Sequence, residues 1–190
     1  AAILLAQVVE KATGNSFEGE LEKRILKPLQ LASTGHELTN ELPEPFAHGY
    51  SYTPVGRHLS RGDKVIRDVS DINPSIWNAA GAMYSALPDL RVFARAFGRG
   101  ELVSEASHKV QTNLRAIPWE GHEYGFLLIK VHGLLGHGGD VPGYHCFMGY
   151  RPEDDLTIVV LTNIHAWSID TEPAKEIAAL LAEHFRTPDR

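Results

Sequence analysis

Four glycines and a histidine lie close together in residues 135–144, which read LGHGGDVPGY. Glycine at this density is costly unless the backbone must come close to another group. A ligand or a reacting carbonyl group is a natural occupant of such a place. A plain β-hairpin, with Gly138-Gly139 or Gly143 serving its turn, is the alternative that this segment alone leaves open.

Two other groups of residues invite a chemical interpretation, but each lacks part of the pattern. His132, His137 and His145 suggest a zinc site, yet no carboxylate-and-histidine pattern at ligand spacing accompanies them. The acidic residues 153–155 suggest paired catalytic carboxylates, whereas adjacent acids in a hairpin are usually solvated. We therefore expect neither a metal nor a cofactor.

The segments around the glycine run predict the sheet that must position it. Residues 124–131 and 146–150 have the apolar content of strands on either side of the run, and 156–162 is the strongest strand. Short turns between consecutive strands imply antiparallel pairing, and helices before and after them imply layers on the faces of the sheet. The predicted class is α/β (α+β), with an antiparallel sheet flanked by helices.

Helical periodicity predicts four helices before the sheet and one after it. They are expected over 3–13 with Gly14 past the end, from a cap at Asn15 or Ser16 to Pro28, from a cap at Ser85 to Gly98 and Gly100, from Ser104 through Val110, and over 172–185. Residues 35–76 form a loop-rich excursion, in which 65–69 is at most a short strand. Long excursions of this kind are more often binding walls than linkers.

Composition narrows the range of partners. The 190 residues are 43% hydrophobic, enough for one globular core or a large piece of a bigger one. A formal net charge of -6 and scattered basic residues give no reason to expect nucleic acid. No apolar run reaches membrane-spanning length, so no membrane span is expected. The single cysteine, Cys146, cannot form an internal disulfide and is interpreted as a small core residue, which leaves the compartment open.

The chain begins abruptly. Helical spacing starts at Ile3 with no Met, N-cap or polar lead-in before it, and the basic region of a signal peptide is absent. We interpret residue 1 as a cut or an internal point of a longer polypeptide.

Four collinear segments resemble the C-terminal two thirds of the serine β-lactamase and penicillin-binding-protein superfamily, in its class C-like, DD-peptidase and esterase branch. They are LLAQVVEKATG at 4–14 followed by LKPL at 26–29, AAGAMYS at 79–85 with Asp89-Leu90, YGF at 124–126, and GHGG at 136–139 with PGY at 142–144 and VVLTN at 159–163. No piece is specific alone, but their order and spacing cover nearly the whole chain. The resemblance implies a β-lactamase/transpeptidase-like fold, incomplete at the N-terminus, with residues 1–190 as the C-terminal portion of a single domain.

Enzymes of this superfamily use a Ser-Xaa-Xaa-Lys helix, a Tyr-Xaa-Asn element and a Lys- or His-headed triplet that ends in glycine on a strand beside the pocket. Only the triplet is present here, and the resemblance puts His137 at its head, Gly138 in the middle and Gly139 at its end. No serine of this chain is followed three residues later by lysine. The nucleophile and the Tyr-Xaa-Asn element are therefore expected upstream of Ala1, in a missing N-terminal segment of the same fold.

The resemblance also implies roles for the triplet and the residue after it. Two backbone N–H groups stabilise the oxyanion of acyl transfer, each by about 3 kcal/mol by analogy with measured donor deletions. One comes from the nucleophile and the other from the residue after the triplet glycine, which here is Asp140. Gly138 and Gly139 would let the backbone lie along the substrate. His137 would orient the substrate or the proton-relay groups through a ring nitrogen.

One departure from the superfamily pattern bears on the substrate. The middle triplet position is commonly a hydroxyl residue that binds a carboxylate, but here it is Gly138. That loss, with the acidic Asp140, favours small esters or amides over a β-lactam, although a β-lactam or a D-amino-acid peptide remains in the implied class. The resemblance leaves two functions open. The chain is either part of a serine hydrolase that works through an acyl-enzyme or a non-catalytic β-lactamase-like binding or assembly module.

Overall fold

The computed structural model describes residues 2–52, 65–118, 121–165 and 171–186. Six α-helices are found in them: α1 (Ala2–Thr13), α2 (Phe17–Leu21), α3 (Lys27–Leu29), α4 (Leu87–Arg99), α5 (Glu105–Gln111) and α6 (Pro173–His184). A π-helical turn over Glu22–Leu26 joins α2 to α3, and 3-10 turns cover Pro74–Ile76 and Asn78–Ala80. The strands are β1 (Gly35–His36), β2 (Tyr50–Ser51), β3 (Arg67–Asp68), β4 (Met83–Tyr84), β5 (Arg115–Ala116), β6 (His122–Tyr124), β7 (Ile129–Val131), β8 (Leu134–Val141), β9 (Tyr144–Arg151) and β10 (Leu156–Thr162).

The main sheet is the predicted antiparallel one. Its six strands run in the order β10-β9-β8-β7-β6-β5, so each strand pairs with its neighbour in the chain. Two small antiparallel pairs, β1 with β4 and β2 with β3, stand apart from it. The meander follows from the short turns in the sequence, because consecutive strands joined by few residues can only pair antiparallel.

Helices cover both faces of this sheet. On one face, Leu134, Phe147 and Ile158 form the buried core against a stripe of alanines on α6, namely Ala174, Ala178 and Ala182. On the other face, α4 contacts β9 and β10. A Cβ atom on Gly98 would lie 2.7 Å from the Cβ of Tyr150, so α4 approaches the sheet as closely as glycine allows.

Strand β9 also holds both ends of α6. Near the helix start, the Ala174 N–H donates to Nδ1 of the buried His145 at 3.2 Å. Near its end, the Arg151 guanidinium donates to the carbonyls of Ala182 at 2.8 Å and Phe185 at 3.0 Å. Two side chains of one strand therefore satisfy backbone groups that a helix leaves without intrahelical partners.

Two predicted helix starts are confirmed and one is wrong. Ser16 caps α2 by accepting from the Gly19 N–H, and Ser104 caps α5 by accepting from the Ser107 N–H. Ser85 does not cap α4, whose N-cap position is Ala86. The Ser85 hydroxyl instead bonds Thr34 Oγ1 at 2.7 Å, a contact between residues 51 positions apart.

Two predicted helix ends need correction. Pro28 does not close the second helix, because its ring is accommodated at the start of α3 and the chain stays helical until Gln30, which turns left-handed at φ 55°. Gly98 lies inside α4, and Gly100 ends the helix with φ 71°.

The glycine run is itself a strand rather than a break between strands. Gly136, Gly138 and Gly139 lie inside β8, and Gly143 serves the β8–β9 turn with φ 87°. Gly136 faces Gly149 of β9, and a Cβ at Gly136 would lie 2.0 Å from the Met148 carbonyl oxygen. The expected strand 124–131 is divided into β6 and β7 by a turn in which Leu127 has φ 52°.

In its described part, the excursion over 35–76 contributes the two-residue strands β1, β2 and β3 and the 3-10 turn over Pro74–Ile76. Within the predicted 65–69 strand, the paired residues are Arg67–Asp68. Residues 53–64 of the excursion lie outside the described residues. Among the helices described, none combines the length and the apolar character that crossing a membrane requires.

Candidate functional site

Among the described strands, the second half of β8 has a neighbour on one side only. Strand β9 pairs with β8 from Leu135 to Val141, whereas β7 pairs only with Leu134–Gly136. Within the described residues, no strand pairs with 137–141 on the β7 side. We call this segment the open edge. Backbone N–H and C=O groups on such an edge can bond an extended ligand.

His137 begins the open edge, and both of its ring nitrogens have partners. Nδ1 lies 2.6 Å from the Gly138 carbonyl oxygen, and Nε2 lies 3.0 Å from the Tyr124 hydroxyl. The Tyr124 and His137 rings meet edge to face, with centroids 6.0 Å apart. The imidazole is thus held between its own strand and the end of β6.

Gly138 and Gly139 direct their missing side chains to opposite faces of the sheet. A Cβ on Gly138 would lie 3.3 Å from Lys175 Cε of α6 and 3.3 Å from the Cys146 carbonyl oxygen. A Cβ on Gly139 would lie 2.9 Å from Cys146 Sγ. Neither residue has a positive φ angle. The lack of a side chain at both positions therefore reflects close neighbours rather than a strained backbone.

Asp140 lies across from His145 of β9 and close to His165. Its Oδ1 is 3.9 Å from His165 Nε2, and His165 Nδ1 is 3.4 Å from Ser51 Oγ. Ser51, His165 and Asp140 thus form a spatial series of contacts like a catalytic triad, but Ser51 is fully buried. The hydroxyl of Ser51 cannot meet a substrate in this arrangement, and both distances are long for proton transfer. The contacts connect the open edge to β2 instead.

Two groups near the open edge have shifted pKa values. Burial lowers the pKa of His145, against the opposing effect of Asp140 and Glu172, which favours a neutral ring that accepts the Ala174 N–H. Burial also raises the pKa of the Cys146 thiol, which keeps it protonated and a poor nucleophile. Cys146 thus fits its prediction as a small packing residue better than any catalytic role.

A model of the Beta-lactamase family matches residues 1–182. The chain belongs to the Beta-lactamase family. Penicillin-binding protein 4* of Bacillus subtilis (strain 168) is 25% identical over 192 residues, covering 96% of this chain and 42% of that protein. A D-stereospecific amidohydrolase from Streptomyces sp. is 29% identical with a TM-score of 0.79, and the match covers 98% of this chain and 54% of that structure.

A second solved structure supports the same fold within the Beta-lactamase family. D-amino acid amidase from Ochrobactrum anthropi SV3, complexed with L-phenylalanine, has a TM-score of 0.81 at 22% identity, over 96% of this chain and 56% of that one. The family and the fold class implied by the four collinear segments are thereby confirmed. The chain spans 38–42% of the length of the curated relatives it matches.

The Beta-lactamase fold separates the histidines that suggested zinc. His137 and His145 lie on opposite faces of the sheet by their register, and His132 has φ 50° in the β7–β8 turn. Among the described residues, no group of three or more histidine, cysteine or acidic side chains is placed to hold a metal ion.

The acidic turn that suggested catalytic carboxylates serves the scaffold of this family member. Asp154 accepts two bonds from Arg151, at 2.8 and 2.6 Å. Asp155 accepts from the Tyr150 hydroxyl at 2.9 Å and pairs with Arg95. These partners hold the pKa of both carboxyl groups below the usual range. The expectation of solvated acids holds for Asp155, whose side chain is 53% exposed, whereas Asp154 is only 14% exposed beside Arg151.

Three residues near the open edge escaped the sequence analysis. The sequence places Tyr124 only within a segment that resembles the superfamily, and it gives no sign of a role for Lys175 or His165. Each meets β8 through the tertiary fold, from 13, 37 and 25 positions away in the chain. No local spacing signal marks contacts of that kind. They depend on the sheet register for Tyr124, and on the packing of α6 and of the residues after β10 for Lys175 and His165.

Part of the loop-rich excursion over 35–76 packs next to the open edge. The Tyr144 hydroxyl donates to the Ala47 carbonyl at 2.8 Å, and a Cβ on Gly49 would lie 2.9 Å from the Gly143 Cα. The segment over 47–51 is therefore packed on the β8–β9 turn, directly after Asp140.

Proposed function

We propose that residues 1–190 are the C-terminal portion of a single Beta-lactamase-family domain, and that the whole domain is a serine hydrolase of esters or amides. The hydrolase works through an acyl-enzyme, and its nucleophilic serine belongs to a preceding segment of the polypeptide. The observation that carries this proposal is the open edge of β8, whose residues 137–140 read His-Gly-Gly-Asp in a chain of this family.

The proposed roles follow the order of residues along the open edge. The Asp140 N–H donates to the oxyanion that forms when the serine attacks the carbonyl carbon. Gly138 and Gly139 leave the strand backbone accessible to the substrate main chain. His137 orients the substrate or the proton-relay groups at the start of the open edge. In this proposal, β8 binds the substrate and stabilises the oxyanion, while a preceding segment of the polypeptide supplies the nucleophile.

The substrate class is proposed from charge and from the similar structures. Asp140 adds a negative charge at the open edge, and Gly138 offers no hydroxyl to a carboxylate, so neutral or cationic substrates are favoured. The similar structures described as a D-stereospecific amidohydrolase and a D-amino acid amidase support an amide of a D-amino acid. We therefore place amides and esters of D-amino acids ahead of β-lactams.

The test uses the intact protein that contains this chain. It is mixed with D-phenylalanine p-nitrophenyl ester, p-nitrophenyl butyrate or nitrocefin, and its mass is followed at short times. The proposal expects a covalent acyl adduct on a serine outside residues 1–190, with saturable turnover of the ester of the D-amino acid. The serine of any Ser-Xaa-Xaa-Lys sequence in the preceding segment, replaced by alanine, is the control that must abolish both.

The non-catalytic alternative has a distinct signature in the same experiment. It expects no adduct with any of the three compounds and reversible binding of D-phenylalanine amide by calorimetry. An adduct on a serine within residues 1–190 would contradict the assignment of the nucleophile, since no serine of this chain stands three residues before a lysine.

A further inference from the structure

We propose that Tyr124 is a positioning residue, which holds the His137 ring at the start of the open edge, where the Gly138 carbonyl selects one tautomer. The proposal deepens the proposed function, on which its catalytic meaning rests. The tautomer itself follows from the contacts alone and can be measured without any activity.

The two contacts of the His137 ring decide where its proton sits. The Gly138 carbonyl oxygen can only accept a hydrogen bond, so Nδ1, 2.6 Å away, must carry the proton. In the neutral ring Nε2 is then the acceptor, and the Tyr124 hydroxyl at 3.0 Å is its donor. The other tautomer would set the Nδ1 lone pair against the Gly138 carbonyl oxygen, so this carbonyl selects the protonated Nδ1. Tyr124 completes the arrangement by donating to Nε2, which holds the ring beside that carbonyl.

The same contacts place the ring relative to the proposed oxyanion donor. Alternate residues of a strand direct their backbone N–H and C=O groups to the same edge, so the Gly138 carbonyl and the Asp140 N–H lie on one side of β8. The His137 ring, bonded to that carbonyl, is therefore on the side where the oxyanion would form. A ring that is freed from Tyr124 can turn away from this edge.

The position of Tyr124 in the sheet suits this role. Tyr124 is the last residue of β6 and pairs with Ile129, which in turn pairs with Gly136. The chain then leaves the sheet through the turn that contains Leu127. The Tyr124 side chain therefore lies where the pairing of β7 with β8 stops, next to Gly136. Its hydroxyl contacts His137, the first residue of the open edge.

This arrangement changes which atom faces a substrate. With both ring nitrogens engaged, His137 has no nitrogen available to a ligand unless one bond exchanges. The Tyr124 hydroxyl donates its proton to Nε2 and keeps lone pairs that can accept from a substrate N–H. Tyr124 and His137 thus act as one polar unit, in which the Gly138 carbonyl sets the tautomer of the histidine and the tyrosine holds its ring in place.

The test is the tautomer of His137 in the intact protein, labelled with 15N-histidine and observed at pH 8, where free imidazole side chains are neutral. A His137→Gln variant assigns the signals by their loss. We expect a protonated Nδ1 and an unprotonated Nε2 in the wild-type protein. Tyr124→Phe keeps the aromatic ring at position 124 but removes the hydroxyl. The freed imidazole then turns away from the Gly138 carbonyl that selects the tautomer, so the protonated-Nδ1 population is expected to fall by at least twofold.

A matched control shows whether the change in the His137 tautomer is specific to the Tyr124 hydroxyl or follows the loss of any tyrosine hydroxyl. Tyr150→Phe removes a hydroxyl that is bonded to Asp155 on β9, away from the open edge, and should leave the His137 signals unchanged. A protonated Nε2 in the wild-type protein, or unchanged signals in a folded Tyr124→Phe variant, would overturn the proposal.

Kinetics distinguish failure of this inference from failure of the proposed function. For a hydrolase, Tyr124→Phe should lower kcat about tenfold with little change in KM, because the orientation of reacting groups by His137 acts on the reaction step. A shifted tautomer in a protein without acyl transfer supports Tyr124 as the positioning residue and rejects the hydrolase. Full turnover with an unshifted tautomer rejects Tyr124 and leaves the hydrolase standing.

Discussion

Asp140 is the residue whose charge and backbone have separable effects in the proposed site. Its N–H is the proposed oxyanion donor, while its carboxylate lies 3.9 Å from His165 at one end of the open edge. The side chain can be changed without touching the N–H. A substitution therefore tests the electrostatic role alone.

Asp140→Asn should retain turnover of a neutral ester, because the backbone donor remains. For the anionic nitrocefin, kcat/KM should rise by about threefold to tenfold, as expected when one unit of like charge is removed near an exposed site. The ratio of kcat/KM for nitrocefin to that for p-nitrophenyl butyrate measures this. A large loss with both substrates would mean that the carboxylate itself takes part in the reaction.

Gly138 tests whether a hydroxyl restores carboxylate binding. A new Cβ there would stand 3.3 Å from Lys175 Cε and from the Cys146 carbonyl, so serine fits if the flexible lysine shifts slightly. Gly138→Ser should raise the same nitrocefin ratio about tenfold, since a hydrogen bond to a charged group is worth about 1.5–3 kcal/mol. Gly138→Ala, which adds the Cβ without the hydroxyl, should not. Equal ratios in the two variants would remove the hydroxyl argument.

Gly139 tests packing rather than contact with a substrate. A Cβ there would meet Cys146 Sγ at 2.9 Å, so Gly139→Ala should lower the free energy of unfolding by about 1–3 kcal/mol through overpacking. Adding Cys146→Ala removes the sulfur and should recover most of that loss relative to Cys146→Ala alone. Urea unfolding of the four proteins gives the coupling energy, and additive effects would contradict the predicted clash.

Residue types and local spacing pointed to 136–139 as the candidate site, while they gave no sign of its tertiary neighbours. The glycine density at 136–139 marked β8 as special because each glycine there has a close neighbour. The partners themselves, Tyr124 and Lys175, come from other elements. Their contacts depend on register and on the seat of α6, which local patterns do not encode.

At the scale of elements, the sequence predicted the existence of helices and strands better than their ends. Gly98 and Gly100 look alike in the chain, yet one packs on Tyr150 and the other takes a left-handed turn. Ser85 has the type of a helix cap but bonds the distant Thr34. Leu127 adopts φ 52° in a turn without any turn-forming residue type at that position. Tertiary contacts override local propensity in each case.

The link between β9 and α6 predicts a pH effect on stability. Burial lowers the pKa of His145 in the folded protein, whereas the unfolded side chain titrates near 6.5. The unfolded chain therefore binds a proton more tightly, and folding is favoured most when the ring is neutral in both states. The stability contributed by a neutral His145 is fully present above about pH 6.5 and decreases as the pH falls below that value.

The measurement is urea unfolding between pH 8 and pH 5. His145→Asn keeps an acceptor for the Ala174 N–H without a group that titrates in this range, so its stability should fall less steeply than that of the wild-type protein. The difference between the two pH profiles isolates the histidine from other titrating groups. Parallel profiles would show that His145 does not titrate on unfolding.

At the scale of the whole molecule, apolar side chains on two separate helices lie in solvent. On α1, Leu4 is 67% and Val8 61% exposed, and on α6, Leu180 is 68% exposed. Exposed apolar groups in this number commonly mark surfaces that another part of a protein covers. The match to little more than half of each similar structure fits the proposal that a further segment covers them.

Residues 1–190 produced alone should therefore associate and should be inactive. We expect soluble aggregates by light scattering, strong binding of a hydrophobic dye, and no hydrolysis of p-nitrophenyl acetate or nitrocefin above a boiled sample. Replacing Leu4 and Val8 by glutamate should reduce the association without creating activity. A compact monomer with a sharp cooperative melt would show that the chain is a complete domain.

Because β9 bonds both ends of α6, the length of the strand restricts the length of the helix. His145 and Arg151 are six residues apart, about 20 Å along a strand, and the backbone groups they meet, from Ala174 to Phe185, span about 16 Å along a helix. An extra residue inside α6 would rotate everything after it by about 100°, swinging the downstream alanines off the sheet. Insertions or deletions within this helix are thus far less tolerable than in an ordinary terminal helix, since the two spans must change together.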